Sequence, residues 1–218
     1  MPTDTNVRNY MARMRIGDGL PSQSFVDLPS VRERDAGDVL VPVTRLTTAQ
    51  DVDRFNEDVA PVFAEQTKDV AVLQDALSMA ISELCGNAVE HGRNDLGCYV
   101  AVQRYPSKKK TVMAVGDLGR GIPAVIRGHF SDIQSDRDAL RHALQEGVTT
   151  TGERSRGRGF YWVMDTARES HVRTANLDIR AGRARVTRRL QTGGGLRTET
   201  SEAPNKMGTW VTFELGPR

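Results

Sequence analysis

Apolar residues recur along this chain at two spacings, and the switches between them mark out its elements. Residues 1–37 follow neither spacing. They are polar and punctuated by proline and glycine, which predicts a flexible or loosely docked extension. The run at residues 39–43 (VLVPV) predicts a strand, and Pro42 puts it at a sheet edge, where a missing amide costs no ladder hydrogen bond. Thr47 or Thr48 can cap a helix to about residue 65, with Val52, Phe55, Val59 and Val62 or Phe63 on one face. A longer helix covers about residues 70–91, with Gly92 as its stop. Strands follow at residues 98–104 and 111–116, joined by YPSKKK as a turn.

Beyond Gly116 the pattern loosens. Residues 117–123 form a loop by composition, Ser135 or Asp136 opens a helix to residue 145, and residues 160–167 resume a helical pattern. Three strand candidates close the chain, at residues 172–179, 183–190 and 210–215. Between the last two, residues 191–207 contain Gly193, Gly194 and Gly195 and read as a mobile connection. This order predicts one α+β domain over residues 38–218, a two-layer sandwich whose mostly antiparallel sheet is covered by helices on one face.

The long helix carries the first chemistry. In residues 81–92 (ISELCGNAVEHG), Glu83, Asn87 and His91 recur every four residues and form one polar stripe. Leu73, Leu77, Ala80, Ile81, Leu84 and Ala88 form an apolar stripe centred about 90° away, at ~100° per residue. The polar groups therefore stand on the shoulder of the buried face. A carboxylate, an amide and an imidazole are costly there without partners, and a bound metal or phosphate would supply them. A hydrogen-bonded core helix fits the same stripe.

Composition narrows the class. Hydrophobic residues are 38% and charged residues 27% of 218, an ordinary soluble balance, and a net charge of +2 argues against nucleic-acid binding by bulk electrostatics. Residues 179–190 hold five arginines and no acid, and Lys108, Lys109 and Lys110 form a second cluster; both fit solvated strand edges or hairpin tips. Cys85 and Cys98 suit two buried free thiols, and the four histidines are scattered without metal-ligand spacing. No secretory leader is visible and no run reaches the ~18 apolar residues of a membrane span, so a cytoplasmic protein is expected.

Two glycine-rich strings add candidates. Asp117-Leu-Gly-Arg-Gly121 follows a strand, with glycines that let backbone approach a flat or charged ligand and a carboxylate facing it. Gly157-Arg-Gly159 precedes a helix, where free amides and the helix dipole favour phosphate, and Thr149, Thr150, Thr151, Arg154, Arg156 and Arg158 offer further donors. Neither is a Walker A loop or a Rossmann fingerprint. Each string alone also fits an ordinary turn or a basic loop.

Taken in order, a Glu-x3-Asn helix, Asp-x-Gly-x-Gly-Ile after a strand and Gly-x-Gly before a helix resemble the GHKL ATPases of the Bergerat fold, over roughly residues 39–217. Within that superfamily, SELCGNAVEHG looks most like the anti-sigma-factor serine/threonine kinases. The resemblance implies ATP and magnesium as ligands. It implies that Asn87 binds the magnesium, that Glu83 is the general base, and that Asp117 accepts the adenine amino group beside Gly119, Gly121 and Ile122. Gly157 and Gly159 would hold a phosphate-side lid, and Thr209 would support adenine through water. His91 matches the family pattern without an assigned role.

Two features depart from that branch: an arginine, Arg158, between the lid glycines, and residues 1–37 with the connection near residue 194, more than a minimal kinase needs. The resemblance implies a kinase that switches a sigma factor and its small antagonist protein, and leaves a homodimer open. The alternatives are a non-catalytic ATP-dependent binding module, or an ATP-binding domain related to histidine kinases. The last lacks any histidine before His91.

Overall fold

In the computed structural model of this protein, residues 10–12, 14, 39–66, 71–92, 95–148, 159–170 and 172–216 are described. Five strands form one sheet, β1 (Val39–Leu46), β2 (Cys98–Tyr105), β3 (Lys110–Asp117), β4 (Thr174–Leu190) and β5 (Leu196–Gly216), in the order β1-β2-β3-β5-β4. Every pairing is antiparallel. The helices are α1 (Ala49–Gln66), α2 (Ala71–Gly92), α3 (Ile122–His129), α4 (Asp136–Ala143) and α5 (Gly159–Glu169). This is the α+β architecture expected from the chain's periodicities, and no helix among the described residues is long and apolar enough to cross a membrane.

Local chemistry sets the element boundaries. Thr48 Oγ1 accepts the amide of Asp51 (3.0 Å), and Asp51 Oδ2 accepts the amides of Thr47 and Thr48 (both 2.9 Å), a reciprocal cap on α1. The Thr47 hydroxyl and these amides hold the Asp51 carboxyl down to about 2. Pro42 does lie in an edge strand, and the β1–β2 register shifts on either side of Val41. Pro123 stands in the first turn of α3, where its missing amide would have had no partner. Ile122 and Pro123 therefore begin a helix, where composition alone read a loop.

The sheet turns one face to the helices. Along it run Val100, Val115, Val211 and Ile179 in one row and Val102, Met113, Phe213 and Leu177 in the next, all buried. Helix α2 packs against β2, β3 and β5 through Leu77, Ala80, Ile81, Leu84 and Ala88, and α1 lies beside it through Val52, Phe55, Val59 and Phe63. Cys85 and Cys98 are free and buried in this core. The Cys98 thiol and burial push the Cys85 thiol up, which keeps it neutral. From the N-terminal stretch, Met14 is buried, its carbonyl accepts the Val43 amide (2.9 Å), and the Tyr10 hydroxyl donates to Gln103 Oε1 (3.0 Å). The remainder of residues 1–37 lies outside the described residues.

The largest correction concerns residues 191–207. They are not a mobile connection: only 191–195 turn, with Gly194 at φ 80°, and strand pairing resumes from Leu190 opposite Leu196. Strands β4 and β5 thus continue past the end of β3 as a two-stranded arm. Its β5 side from 197 to 207 is almost wholly exposed, so it has no alternation to read, and its order comes from backbone pairing with β4. Helix α4 covers one face of the arm, where Ala184 and Val186 are buried and Arg141 donates to Thr200 Oγ1 (2.9 Å). The arginines of residues 179–190 sit in this edge strand, and the three lysines at the β2–β3 hairpin tip.

Phe213, fully buried between Met113 and Leu177, is the test of this core. Phe213→Ala is expected to cost about 3–5 kcal/mol, read as a lower urea midpoint with an unchanged m-value.

Candidate functional site

The polar stripe of α2 forms one wall of a cleft of about 290 Å³. Its floor is the helix-facing pair Val115 and Val211, opposite one another on β3 and β5, and α3 supplies Ile122, Val125 and Ile126. Gln145 and Val148, after α4, and Tyr161 on α5 complete it. Of the residues singled out in the sequence, Glu83, Asn87, His91, Asp117, Gly121, Ile122, Gly159 and Thr209 all line this one space. Thr149, Thr150, Arg156, Gly157 and Arg158 lie outside the described residues.

Asp117 ends β3 on the helix-facing side and is only 4% exposed. Its Oδ1 accepts the Gly119 amide (2.7 Å) and its Oδ2 the Thr209 amide (3.2 Å). The Ile122 amide in turn donates to Thr209 Oγ1 (3.3 Å), which ties α3 to β5. Burial pushes the Asp117 carboxyl above its ordinary range, and the hydrogen bonds from Gly119 and Thr209 act against that rise.

The glycines of this loop serve the chain's own packing. A side chain at Gly119 would run into the carbonyl of Gly92 at the end of α2, where the Arg120 amide donates to the same oxygen (3.3 Å). Gly121 has φ 75°, and a methyl there would stand 2.9 Å from the Gly208 carbonyl oxygen. Gly119 does not border the cleft, whereas Gly121 does.

At the other end, α5 begins against the polar stripe. A methyl at Gly159 would lie 3.4 Å from Asn87 Nδ2 and 3.8 Å from Glu83 Oε2. The free amides and positive dipole of α5 therefore start beside a carboxylate and a carboxamide. Among the described residues no group of three or more His, Cys, Asp or Glu could hold a metal ion. Asn87 turns its amide nitrogen toward Gly159, and its carboxamide oxygen would suit a hard cation.

One end of the cleft thus offers a buried acceptor beside apolar walls, and the other offers amides, a carboxamide and a carboxylate. A flat heteroaromatic ring with an exocyclic amino group fits the first, and a polyphosphate fits the second. The residues missed in the sequence are apolar or unremarkable: Val115, Val125, Ile126, Gln145, Tyr161 and Val211. Ile122, Val125 and Ile126 stand at helical spacing on either side of Pro123, and that spacing was the available signal.

The model of the family described as histidine kinase-, DNA gyrase B-, and HSP90-like ATPase matches residues 72–218. The match covers well over half of the chain, which belongs to this ATP-binding family, the GHKL ATPases. No curated protein matches the sequence.

Raised above its unfolded value, the Asp117 carboxyl binds more protons in the folded protein. Its contribution to stability therefore falls as pH rises from about 4, the ordinary carboxylate value, toward its folded pKa. Urea unfolding at stepped pH is expected to show the stability of wild type minus that of Asp117→Asn decreasing across this window. A pH-independent difference would mean that the carboxyl is not desolvated.

Proposed function

We propose that this member of the GHKL family is an ATP- and magnesium-dependent serine/threonine protein kinase of the anti-sigma-factor type, acting by partner switching. Its ATP-binding unit would run over residues 38–218, with residues 1–37 as an extension. The observation that carries the reading is Glu83, a carboxylate one helical turn before Asn87 whose Oε2 lies 3.8 Å from where a Gly159 methyl would stand, at the start of α5. A pure nucleotide binder needs no base at the phosphate end of its cleft. A transferase does.

In this reading Asp117 accepts the adenine amino group while Ile122 and Val125 cover the ring, and Thr209 steadies the base through water. Asn87 would hold the magnesium, which would neutralise charge on the phosphates. The first amides of α5 at Gly159 receive phosphate oxygens. Gly157, Thr149, Thr150, Arg156 and Arg158 remain lid candidates on composition alone. His91 borders the cleft and is assigned as a nucleotide contact without a chemical step. Glu83 takes the proton of a serine or threonine hydroxyl as its oxygen attacks the γ-phosphorus. The bond to the bridging oxygen of the β-phosphate breaks and ADP leaves. The partners would be a sigma factor and the small antagonist protein that receives the phosphoryl group.

ATP is expected to bind roughly 30- to 1000-fold more tightly than GTP, because guanine turns a carbonyl oxygen toward Asp117. Equal affinities in calorimetric titration would reassign Asp117. Glu83→Gln keeps the shape and removes the basicity. It is expected to hold ATP within a few-fold while phosphoryl transfer drops by about 10²–10⁴-fold. Radiolabelled γ-phosphate followed onto proteins of a lysate from the parent organism reads this directly. If wild type labels nothing and hydrolyses no ATP, the non-catalytic binding module replaces the kinase.

A further inference from the structure

One side chain of the hairpin arm, Arg188, contacts two elements that border the cleft. Arg188 on β4 donates from Nη1 to the carbonyl of Leu144 (3.0 Å), the residue that caps the C-terminus of α4. The carbon of the same guanidinium lies 5.3 Å from the ring centroid of Tyr161, within cation–π range, in the first turn of α5. Both contacts bear on cleft walls. Leu144 leads directly into Gln145 and Val148, which line the cleft, and Tyr161 lines it two residues after Gly159. These walls come from separate helices, and one cation holds them both.

Its surroundings fit a spacer better than a surface charge. Arg188 is half-buried, so desolvation lowers its pKa, while Tyr161 and Asp165 of α5 favour the cation and Arg168 opposes it. An arginine remains protonated through such a shift, so the cation persists. Asp165 is ion-paired with Arg168 one turn along α5, and the direct contacts of Arg188 include the Leu144 carbonyl and the Tyr161 ring.

We propose that Arg188 is a positioning residue for the phosphate end of the nucleotide. It sets the separation between the end of α4 and the first turn of α5, and so strengthens triphosphate binding without touching the ligand. The inference rests on the ATP reading of the same cleft. The base end is built on Asp117, Thr209 and α3, whose hydrogen bonds run among themselves, so adenosine affinity separates an effect on the phosphate end from a general one.

Calorimetric titration of the full chain with adenosine and with magnesium–ATP tests this. Arg188→Met is expected to weaken magnesium–ATP about tenfold or more and adenosine by less than about twofold. Arg188→Lys, which keeps a cation and a donor, is expected to recover most of the loss. Tyr161→Leu is expected to reproduce the ATP defect, and the double variant Arg188→Met/Tyr161→Leu to lose less than the two single losses combined. Unchanged ATP affinity in Arg188→Met, or equal losses for ATP and adenosine, would overturn the assignment. Should Arg188→Met not fold, Tyr161→Leu carries the test with the same two outcomes. Failure of wild type to bind ATP at all would instead remove the nucleotide reading itself.

Discussion

Helix α2 constrains everything around it, because one rigid cylinder carries both the core and a cleft wall. Leu77, Ala80, Ile81, Leu84 and Ala88 are locked against the sheet. What lies about a quarter turn away is then held at a fixed height above that sheet. Glu83, Asn87 and His91 occupy that shoulder, half-buried, and cannot drift relative to the ends of β3 and β5. The position of their backbone comes from hydrophobic packing of the helix, which is non-directional for each side chain yet rigid in the aggregate.

The second fixed point is the end of β3. Asp117 is buried without a cationic partner among the hydrogen bonds it makes; two amides, from Gly119 and Thr209, bind it instead. That arrangement leaves the carboxylate able to accept one more donor from the cleft, at the cost of a raised pKa. Gly119 pressed against Gly92 joins this loop to the end of α2, so the two chemically distinct ends of the cleft are braced by the same helix. Arg188 adds a connection from the edge strand of the sheet, where the β4–β5 arm passes under α4 and α5.

How much was legible follows from the kind of order each part has. Periodicity exposed α2 with its two stripes, the capped start of α1 and the β2–β3 hairpin, because each repeats a local rule over many residues. Asp117 and Gly121 were legible as a turn string, and Asn87 as part of a stripe. Tyr161 and Val211 were not, since an aromatic on a short helix and a valine in a strand are ordinary core residues until something faces them. Helix α3 hid behind a glycine-rich loop, and the distal half of β5 hid because its exposed residues alternate with nothing buried.

The sequence by itself determined the α+β class, the family's motifs in order and the residue types at both ends of the cleft. These are properties of local spacing, and local spacing survives in a string of letters. Only the tertiary structure decided that Glu83, Asp117, Gly159 and Thr209, spread over more than half of the chain, border one space. It alone showed that residues 191–207 pair with β4, and that Arg188 touches two helices distant in sequence. Such contacts arise from chain reversal and sheet order, which depend on which faces are buried together, and no single segment carries that information.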